Sequence, residues 1–244
     1  MSRIISFATG TIRRWDKSRN RNDLLTYVKK LKVDGVEITF ASKEELYAFK
    51  LSKQNENWLR GLKYVTIHAP FKLVRKARDE EEVMKQLKFI SGLYIKIKAK
   101  NVIIHPRDLP QPETLKMFKF KVSTENLPKR SHVSVSDLER IFKKYPKIGL
   151  CLDVSHAYLW SKHEARKLVA KFDKRITQIH FSGTYRNKEH QSIRIVTKDF
   201  LYSISPVFLL SAPIVIEGDT RSRNKKSLKE EVEYIKHMFK DKEN

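Results

Sequence analysis

The sequence is poor in the residues that cross-link a chain or carry it through a membrane. Cys151 is the only cysteine among 244 residues, which excludes an intrachain disulfide and a zinc site made of several thiolates. No window of about 18 apolar residues occurs, and residues 1–10 lack the long apolar segment of a secretory signal. We therefore expect a soluble cytoplasmic protein without a membrane partner.

Glycine is scarce as well, at seven residues, and no stretch rich in glycine or serine divides the chain. Hydrophobic residues make up 40% of the sequence, which is enough for one sizeable core. We expect a single domain over residues 1–244. No motif indicates a dimer, so we expect a monomer.

Acidic residues are few relative to basic ones. The 51 Lys and Arg residues exceed the 28 Asp and Glu residues, which gives a formal net charge of +23. Such a charge attracts phosphodiester backbones or anionic membranes, whereas a small neutral sugar gains nothing from it. A surface adapted to solubility or heat is the alternative, but heat adaptation normally raises Glu together with Lys. The charge therefore favours a nucleic-acid partner.

Short runs rich in Ile or Val alternate with longer amphipathic stretches along the whole chain. This pattern predicts strands joined by crossover helices rather than a bundle or a sandwich. The eight predicted strands are 4–8, 35–40, 64–69, 101–105, 121–125, 148–153, 176–181 and 214–217. The eight predicted helices are 22–32, 43–58, 80–98, 113–118, 134–144, 162–172, 198–210 and 227–240.

Eight consecutive strand–helix units predict an α/β protein with a closed parallel (β/α)8 TIM barrel. An open doubly wound sheet is the competing architecture. Its first turn usually reads GxGxxG, and Phe7-Ala8-Thr9-Gly10 does not match that pattern. Ser42 and Ser134 each precede acidic residues of a first helical turn, which predicts that both are helix N-caps.

Residues that commonly bind metals fall at or near the carboxyl ends of predicted strands three to eight. They are His68, His105, Glu125, Asp153, His180 and Glu217. In a parallel barrel those strand ends converge on one mouth, so residues far apart in sequence meet in a single pocket. His156 lies one helical turn after Asp153, and His190 lies in the segment after strand seven.

A single histidine beside an apolar strand is more often a hydrogen-bonded core or surface residue than a metal ligand. Here five of the eight histidines fall at the predicted mouth. The other three, His132, His163 and His237, lie in or beside predicted helices and are expected on the surface. The grouping therefore favours a metal centre.

Imidazoles combined with three carboxylates suit zinc, and also manganese or iron. One ion would leave too many of these ligands unused, so we expect two or three. Two ions about 3.5 to 4 Å apart commonly clamp the attacking and leaving oxygens in phosphoryl displacement. Hydrolysis of a phosphate ester is therefore the predicted chemistry.

Five further residues near the mouth are candidates for substrate contact, and one of them is Lys188 in the segment after strand seven. Glu37, in strand two, either contacts substrate or pairs with a neighbouring cation. Arg107 either holds a phosphate or is a solvated loop residue. Phe71 and Lys72 either stack on a base and touch a phosphate, or Phe71 simply covers the barrel rim.

Six segments of the sequence together resemble endonuclease IV, a family of xylose isomerase-like barrels. The resemblance covers nearly the whole chain and keeps the order and spacing of the motifs. The segments are Thr66-Ile67-His68-Ala69-Pro70, Val102-Ile103-Ile104-His105, Ser123-Thr124-Glu125-Asn126, Cys151-Leu152-Asp153-Val154-Ser155-His156-Ala157, Ile179-His180-Phe181-Ser182 and Ile216-Glu217-Gly218-Asp219.

The resemblance implies a site of three zinc ions that cleaves DNA on the 5′ side of an abasic deoxyribose. His68 and His105 would hold a first ion, and the catalytic carboxylate Glu125 would bridge it to a second. The remaining ligands of the second ion would be Asp153, His180 and Glu217, and those of a third ion would be His156 and His190. Phe71 would correspond to an aromatic residue that the family inserts into DNA.

One position departs from the family pattern. Endonuclease IV usually carries Asp-x-His after strand seven, whereas this chain has Lys188-Glu189-His190. Three explanations are open: the third site is weak or absent, Glu189 replaces the carboxylate through a shift of the segment, or Lys188 neutralises charge in place of the ion.

Two other functions remain open from the sequence. Sugar isomerases and epimerases of the same barrel superfamily hold one divalent ion, here through Glu125, Asp153, His180 and Glu217. His68, His105, His190 and the charge of +23 are surplus for that function. The other alternative is a non-catalytic nucleic-acid-binding barrel, which predicts DNA binding without metal-dependent turnover.

Overall fold

The computed structural model describes residues 3–15, 20–220 and 222–240, and its strands close into a parallel barrel. The barrel strands are β1 (Ile5–Ala8), β2 (Gly35–Thr39), β3 (Tyr64–His68), β4 (Asn101–Ile104), β5 (Val122–Glu125), β6 (Gly149–Asp153), β7 (Ile176–Phe181) and β10 (Ile214–Ile216). Around the barrel their order is β1-β10-β7-β6-β5-β4-β3-β2, and every neighbouring pair is parallel. The predicted (β/α)8 barrel is confirmed. A separate antiparallel hairpin joins β8 (Gly183–Tyr185) to β9 (Lys188–Gln191).

Helices connect the strands and cover the outside of the barrel. They are α1 (Thr9–Arg13), α2 (Arg21–Lys29), α3 (Lys43–Ala48), α4 (Lys53–Arg60), α5 (Glu80–Lys96), α6 (Pro112–Lys116), α7 (Val135–Lys144), α8 (Val154–Trp160), α9 (Glu164–Phe172), α10 (Lys198–Ser203) and α11 (Lys225–Lys240). Short 3-10 helices occupy Pro106–Asp108, Lys129–Ser131, Asp173–Arg175, Ile193–Ile195 and Ser205–Leu209. Among the helices of the described residues, none is long and apolar enough to cross a membrane.

Two predicted helices are divided in the structure. The segment 43–58 forms α3 and α4, because Phe49 leaves the helical conformation with a ψ of 108° and the side chain of Ser52 caps the next helix. The segment 198–210 ends its α-helix at Ser203 and continues as a 3-10 helix. Pro206 explains this change, because proline has no amide hydrogen and its ring clashes with the preceding helical turn.

The sequence prediction missed α1, α8 and the hairpin. Asp153 both ends β6 and caps α8, so no loop residues separate the strand from the helix. The hairpin turns through Arg186 and Asn187, whose φ angles of 50° and 59° match the left-handed conformation of tight two-residue turns. Its strands are three and four residues long, too short for a periodic signal.

The barrel wall separates an apolar outer layer from a polar interior. In β6, Leu150 and Leu152 join the apolar cluster outside the strands, whereas the alternating residues Cys151 and Asp153 are buried on the other side of the strand. Gly149 faces the barrel interior, as Cys151 and Asp153 do. A Cβ there would lie 2.6 Å from the Ser123 hydroxyl oxygen, so the narrow lower end of the barrel requires glycine.

Helix α7 carries a capping box, as the sequence predicted for Ser134. The Ser134 side chain accepts a hydrogen bond from the amide of Asp137 at 3.2 Å, and the Asp137 carboxylate accepts one from the amide of Ser134 at 2.8 Å. Hydrogen bonds from Ser134, and then Arg140, stabilise the charged carboxylate and lower the pKa of Asp137 to about 2.

This capping box gives a stability prediction. We expect Ser134→Ala to lower the free energy of unfolding by about 1 kcal/mol at neutral pH, because an amide at the helix start loses its acceptor. The folded pKa of Asp137 lies below its unfolded value of 3.8, so its contribution is present above that value and lost as the pH falls toward 2. In urea titrations, the difference between wild type and Asp137→Asn should shrink on going from neutral pH to pH values below 3.8. A difference independent of pH would contradict this account.

Candidate metal centre

The eight expected ligands come together at the carboxyl ends of the barrel strands. Their ligand atoms form three groups, in each of which all atoms lie within 4.8 Å of one another. The groups are His68, His105 and Glu125; Glu125, Asp153, His180 and Glu217; and Asp153, His156 and His190. Glu125 and Asp153 each belong to two groups, so the three groups form one continuous centre.

The first group lies at the ends of β3, β4 and β5. The Nε2 atoms of His68 and His105 each lie 3.4 Å from Oε2 of Glu125. The Nδ1 of His68 is 3.0 Å from the backbone carbonyl of Ala69, to which it donates when protonated. That hydrogen bond leaves the Nε2 lone pair directed at the group, as a metal ligand requires.

The second group uses the other oxygen of Glu125. The Nδ1 of His180 lies 3.2 Å from Oε1 of Glu125 and 3.3 Å from Oε2 of Glu217. Asp153 lies beside His180 because β6 and β7 pair in register at these two residues. The two oxygens of Glu125 therefore face two different groups of ligands.

The third group contains two buried atoms that have no hydrogen-bond partner among the described residues. They are Oδ2 of Asp153 and Nδ1 of His190, which lie 3.9 Å apart. The Nδ1 of His156 lies 3.6 Å from the same oxygen and 2.9 Å from the backbone carbonyl of Asn126, to which it donates when protonated. A buried polar atom without a partner costs about 1 to 3 kcal/mol, and a cation between these atoms would satisfy both.

The hairpin presents His190 in a constrained conformation. His190 has a φ of 55°, in the left-handed region. Its carbonyl accepts a hydrogen bond from the amide of Asp219 at 2.8 Å, and Trp15 donates to the Asp219 carboxylate at 2.7 Å. The hairpin is therefore tied to the segment after β10 at the position of the ligand.

Charge in the centre is unevenly distributed. Burial raises the pKa of Glu217 to about 7, an effect that neighbouring carboxylates reinforce and His180 opposes. Burial would also raise the pKa of Glu125, but His180, His105 and His156 outweigh it and hold this pKa well below its usual value. Glu125 is thus the carboxylate most strongly held in its charged form.

The donor set fits divalent cations. Four carboxylates are buried in and beneath the centre: Glu37, Glu125, Asp153 and Glu217. Among the described residues only histidines lie within ion-pair distance of them, and no Lys or Arg does. Buried charge requires a compensating charge, which bound cations would provide.

Lys188 and Glu189 do not complete the third group. Glu189 forms a bidentate ion pair with Arg130, which lies in the 3-10 helix after β5. Lys188 is exposed on β9 and lines a surface depression that adjoins the main cavity, with which it shares Arg14, Arg130, Glu189 and His190. Neither residue takes the place of the family's carboxylate in this structure, and Asp153 is the acid of the third group.

Basic side chains surround the cavity above the centre. They are Arg13, Arg14, Lys72, Arg75, Arg107 and Arg130. Glu45, Asp108 and Glu189 form ion pairs with Arg13, Arg75 and Arg130, respectively. Lys72 and Arg107 form no ion pair with a described residue. Of these six side chains, the sequence analysis placed only Lys72 and Arg107 at the mouth. The other four belong to segments whose position at the mouth depends on the fold.

Phe71 lies at the entrance, above the first group. Its ring stacks on His105 with 5.2 Å between ring centres and meets His68 edge-on at 5.3 Å. The side chain remains 41% exposed. Phe71 therefore both covers two candidate ligands and offers an aromatic face to the cavity.

Glu37 lies elsewhere than expected. Its side chain has no exposed surface and does not line the cavity, so it has no surface from which to contact a substrate. It lies below the centre, where it is 3.2 Å from Nε2 of His180. The expected pairing with a neighbouring Lys or Arg is absent among the described residues, and the partner is a histidine instead.

Removal of ligands gives a direct prediction for this centre. We expect the wild-type protein to bind at least two zinc ions, and His105→Ala to bind about one fewer, as measured by elemental analysis after gel filtration. Zinc at 100 times its Kd should stabilise the folded chain by about 2.7 kcal/mol, and a chelator should reverse this. The matched control is His163→Ala on the surface, which should bind zinc as wild type does. Equal stoichiometry in both variants would contradict the assignment.

No protein-family model matches this sequence, and no curated protein is similar to it in sequence. Solved structures do share its fold. An endonuclease IV from Thermus thermophilus is 16% identical, with 98% of this chain and 99% of that chain covered and a TM-score of 0.65. Another Thermus thermophilus protein, soaked with ZnCl2, is 15% identical over 98% of both chains, with a TM-score of 0.62.

A D-tagatose 3-epimerase-like protein is similar to the same degree. It is 15% identical, with 99% of this chain and 100% of that chain covered and a TM-score of 0.70. A further similar structure is described as containing a xylose isomerase domain. The chain thus has the xylose isomerase-like form of the TIM barrel, a fold that an endonuclease IV and sugar epimerases share.

Proposed function

We propose that this protein is a metal-dependent phosphodiesterase that cleaves DNA on the 5′ side of abasic sites, as in base excision repair. The observation that carries the proposal is the position of Glu125 between two groups of ligands. Its Oε2 faces His68 and His105, and its Oε1 faces His180. A carboxylate placed in this way is suited to bridge two ions, the usual arrangement for phosphoryl displacement.

The centre contains more ligands than one ion can use. A single ion held by Glu125, Asp153, His180 and Glu217 would leave His68 and His105 directed at an oxygen of Glu125 with no metal to bind. Two zinc ions, or manganese in their place, account for both groups. The group of Asp153, His156 and His190 is the proposed place of a third ion.

The basic rim supports a polyanionic substrate. Lys72 and Arg107 line the same cavity as Phe71 and form no ion pair with a described residue, so both are available to backbone phosphates. The exposed face of Phe71 is available to stack on a base beside the lesion. A neutral sugar would gain nothing from the basic rim.

Bound metal would supply the reactive chemistry, and the chain's own residues would cover the site, hold the substrate and space the ligands. Zinc ions held at the centre would polarise a phosphoryl oxygen and make water nucleophilic near neutral pH. Phe71 covers His68 and His105 and excludes bulk water from that side. Arg107 and Lys72 hold the flanking phosphates, and Glu125 keeps the two groups of ligands at a fixed separation.

Cleavage of a defined duplex tests this proposal. We expect zinc-loaded protein to nick an oligonucleotide duplex carrying one tetrahydrofuran abasic analogue on the 5′ side of the lesion, and to leave a 3′ hydroxyl that a polymerase extends. Chelation should abolish the nick. Glu125→Gln should reduce cleavage by roughly 100-fold or more, because it removes the bridging carboxylate, and should leave DNA affinity near wild type.

The matched control is Glu82→Gln. Glu82 is a buried glutamate on α5 that accepts hydrogen bonds from Lys43 and the amide of Arg78, away from the centre. This variant should cleave as wild type does. DNA binding without any metal-dependent nick would reject the proposal and favour the non-catalytic alternative, and equal loss of binding and cleavage in Glu125→Gln would reject the role of Glu125.

A second candidate is a sugar epimerase that uses one divalent ion. The observation in its favour is that Glu125, Asp153, His180 and Glu217 form a complete four-residue group by themselves. Epimerases are also among the proteins with similar structures.

Hydrogen exchange separates the two functions. An epimerase loaded with manganese would exchange the hydrogen at the epimerised carbon of a ketohexose with deuterium from solvent, which proton NMR detects. Under the phosphodiesterase proposal we expect no exchange above that of Glu125→Gln. Exchange that depends on Glu125, in the absence of nicking, would favour the epimerase.

A further inference from the structure

Glu37 occupies a place that no substrate or solvent reaches. It lies within β2, and its side chain and that of His180 both have an exposed fraction of zero. Both carboxylate oxygens lie 3.2 Å from Nε2 of His180. The contact joins a buried carboxylate to the far side of a candidate metal ligand.

The two ring nitrogens of His180 have different surroundings. Nδ1 faces the ligand oxygens of Glu125 and Glu217. Nε2 faces Glu37 and also the amide nitrogen of Gln178, which lies 3.0 Å away. An amide nitrogen does not accept hydrogen bonds, so Glu37 is the acceptor available to a hydrogen on Nε2. When a metal occupies the lone pair of Nδ1, the ring hydrogen must reside on Nε2. Nε2 then donates it to Glu37, and this bond fixes both the tautomer and the plane of the ring.

Glu37 is itself held by two neighbouring side chains. Its Oε2 accepts hydrogen bonds from the Thr66 hydroxyl at 3.0 Å and from the Gln178 amide nitrogen at 2.8 Å. The Gln178 oxygen in turn accepts a hydrogen bond from the Tyr64 hydroxyl at 3.1 Å. The carboxylate therefore cannot rotate away from His180 without breaking these bonds.

The position of Glu37 requires a side chain that accepts hydrogen bonds and donates none. Thr66, Gln178 and His180 all direct donors at it. A carboxylate accepts from all three, whereas the amide of a glutamine would direct two N–H donors into the same space. Glu37→Gln keeps the size of the side chain and removes its function as a common acceptor.

We propose that Glu37 is a positioning residue that orients His180 for the second ion and strengthens the binding of that ion. The inference goes beyond the proposed phosphodiesterase, because His180 belongs to the ligand set of the one-ion alternative as well. Glu37 touches neither substrate nor metal and acts only through His180.

Zinc affinity tests the proposal without any substrate. Zinc is titrated into metal-free protein against a chromogenic chelator, which resolves the affinities of successive ions. In Glu37→Gln we expect one ion to bind about 10 to 100 times more weakly than in wild type, the usual effect of losing a residue that supports a metal ligand. The affinity of the ion at His68 and His105 should stay near the wild-type value. The matched control is Glu82→Gln, in which both affinities should be unchanged.

A purely structural role would give a different result. It would lower the melting temperature of the metal-free Glu37→Gln protein and leave both zinc affinities at the wild-type value, and that outcome would overturn the proposal. If Glu37→Gln does not fold, the same zinc titration is made with Glu37→Asp. It keeps the charge but draws the carboxylate away from His180, so the same ion should bind several times more weakly, and unchanged affinity would again reject the proposal. Because no DNA is involved, failure of this test is separate from failure of the proposed cleavage.

Discussion

The burial of four carboxylates that have no Lys or Arg partner among the described residues is the constraint on which the rest of this molecule depends. Glu37, Glu125, Asp153 and Glu217 lie inside the barrel, and only histidines approach them among the described residues. In a protein interior such charge is strongly unfavourable unless another charge compensates it. Although the chain carries 51 Lys and Arg residues, its basic side chains near the centre line the rim of the cavity above the carboxylates. This separation of charge suits the centre to divalent cations and keeps the basic side chains on the rim.

The strands of the barrel account for this separation of carboxylates from basic side chains. Along each strand, apolar residues that face the outer helices alternate with polar residues that face the interior, and all parallel strands end at one mouth. Support extends below the ligands, where Tyr64, Thr66 and Gln178 hold Glu37 against His180. It also extends around them, where Asp108 holds Arg75 beside the entrance. The ligand geometry is therefore set by residues that carry no metal chemistry of their own.

Periodicity and the position of residues at strand ends were enough to predict the barrel and the convergence of eight candidate ligands. The remaining features depend on distances that the sequence does not contain. Helix α8 was missed because Asp153 ends a strand and caps a helix at once, and the hairpin was missed because its strands are too short to show alternation. The pairing of Arg130 with Glu189 joins a 3-10 helix to β9 across 59 positions of sequence, and no local pattern indicates it. Glu37 was a candidate for substrate contact or for pairing with a cation because its strand position places it near the mouth. Whether it lies in the cavity or beneath it depends on the tilt and closure of the barrel.

The central claim is that Glu125 joins two groups of ligands and so builds a centre of at least two ions. Anomalous X-ray scattering from crystals grown with zinc tests it most directly, because each zinc ion gives its own peak. The account predicts two peaks on opposite sides of the Glu125 carboxylate, about 3.5 to 4 Å apart, one beside His68 and His105 and one beside His180. A single peak among Glu125, Asp153, His180 and Glu217, with none beside His68 and His105 at saturating zinc, would contradict it.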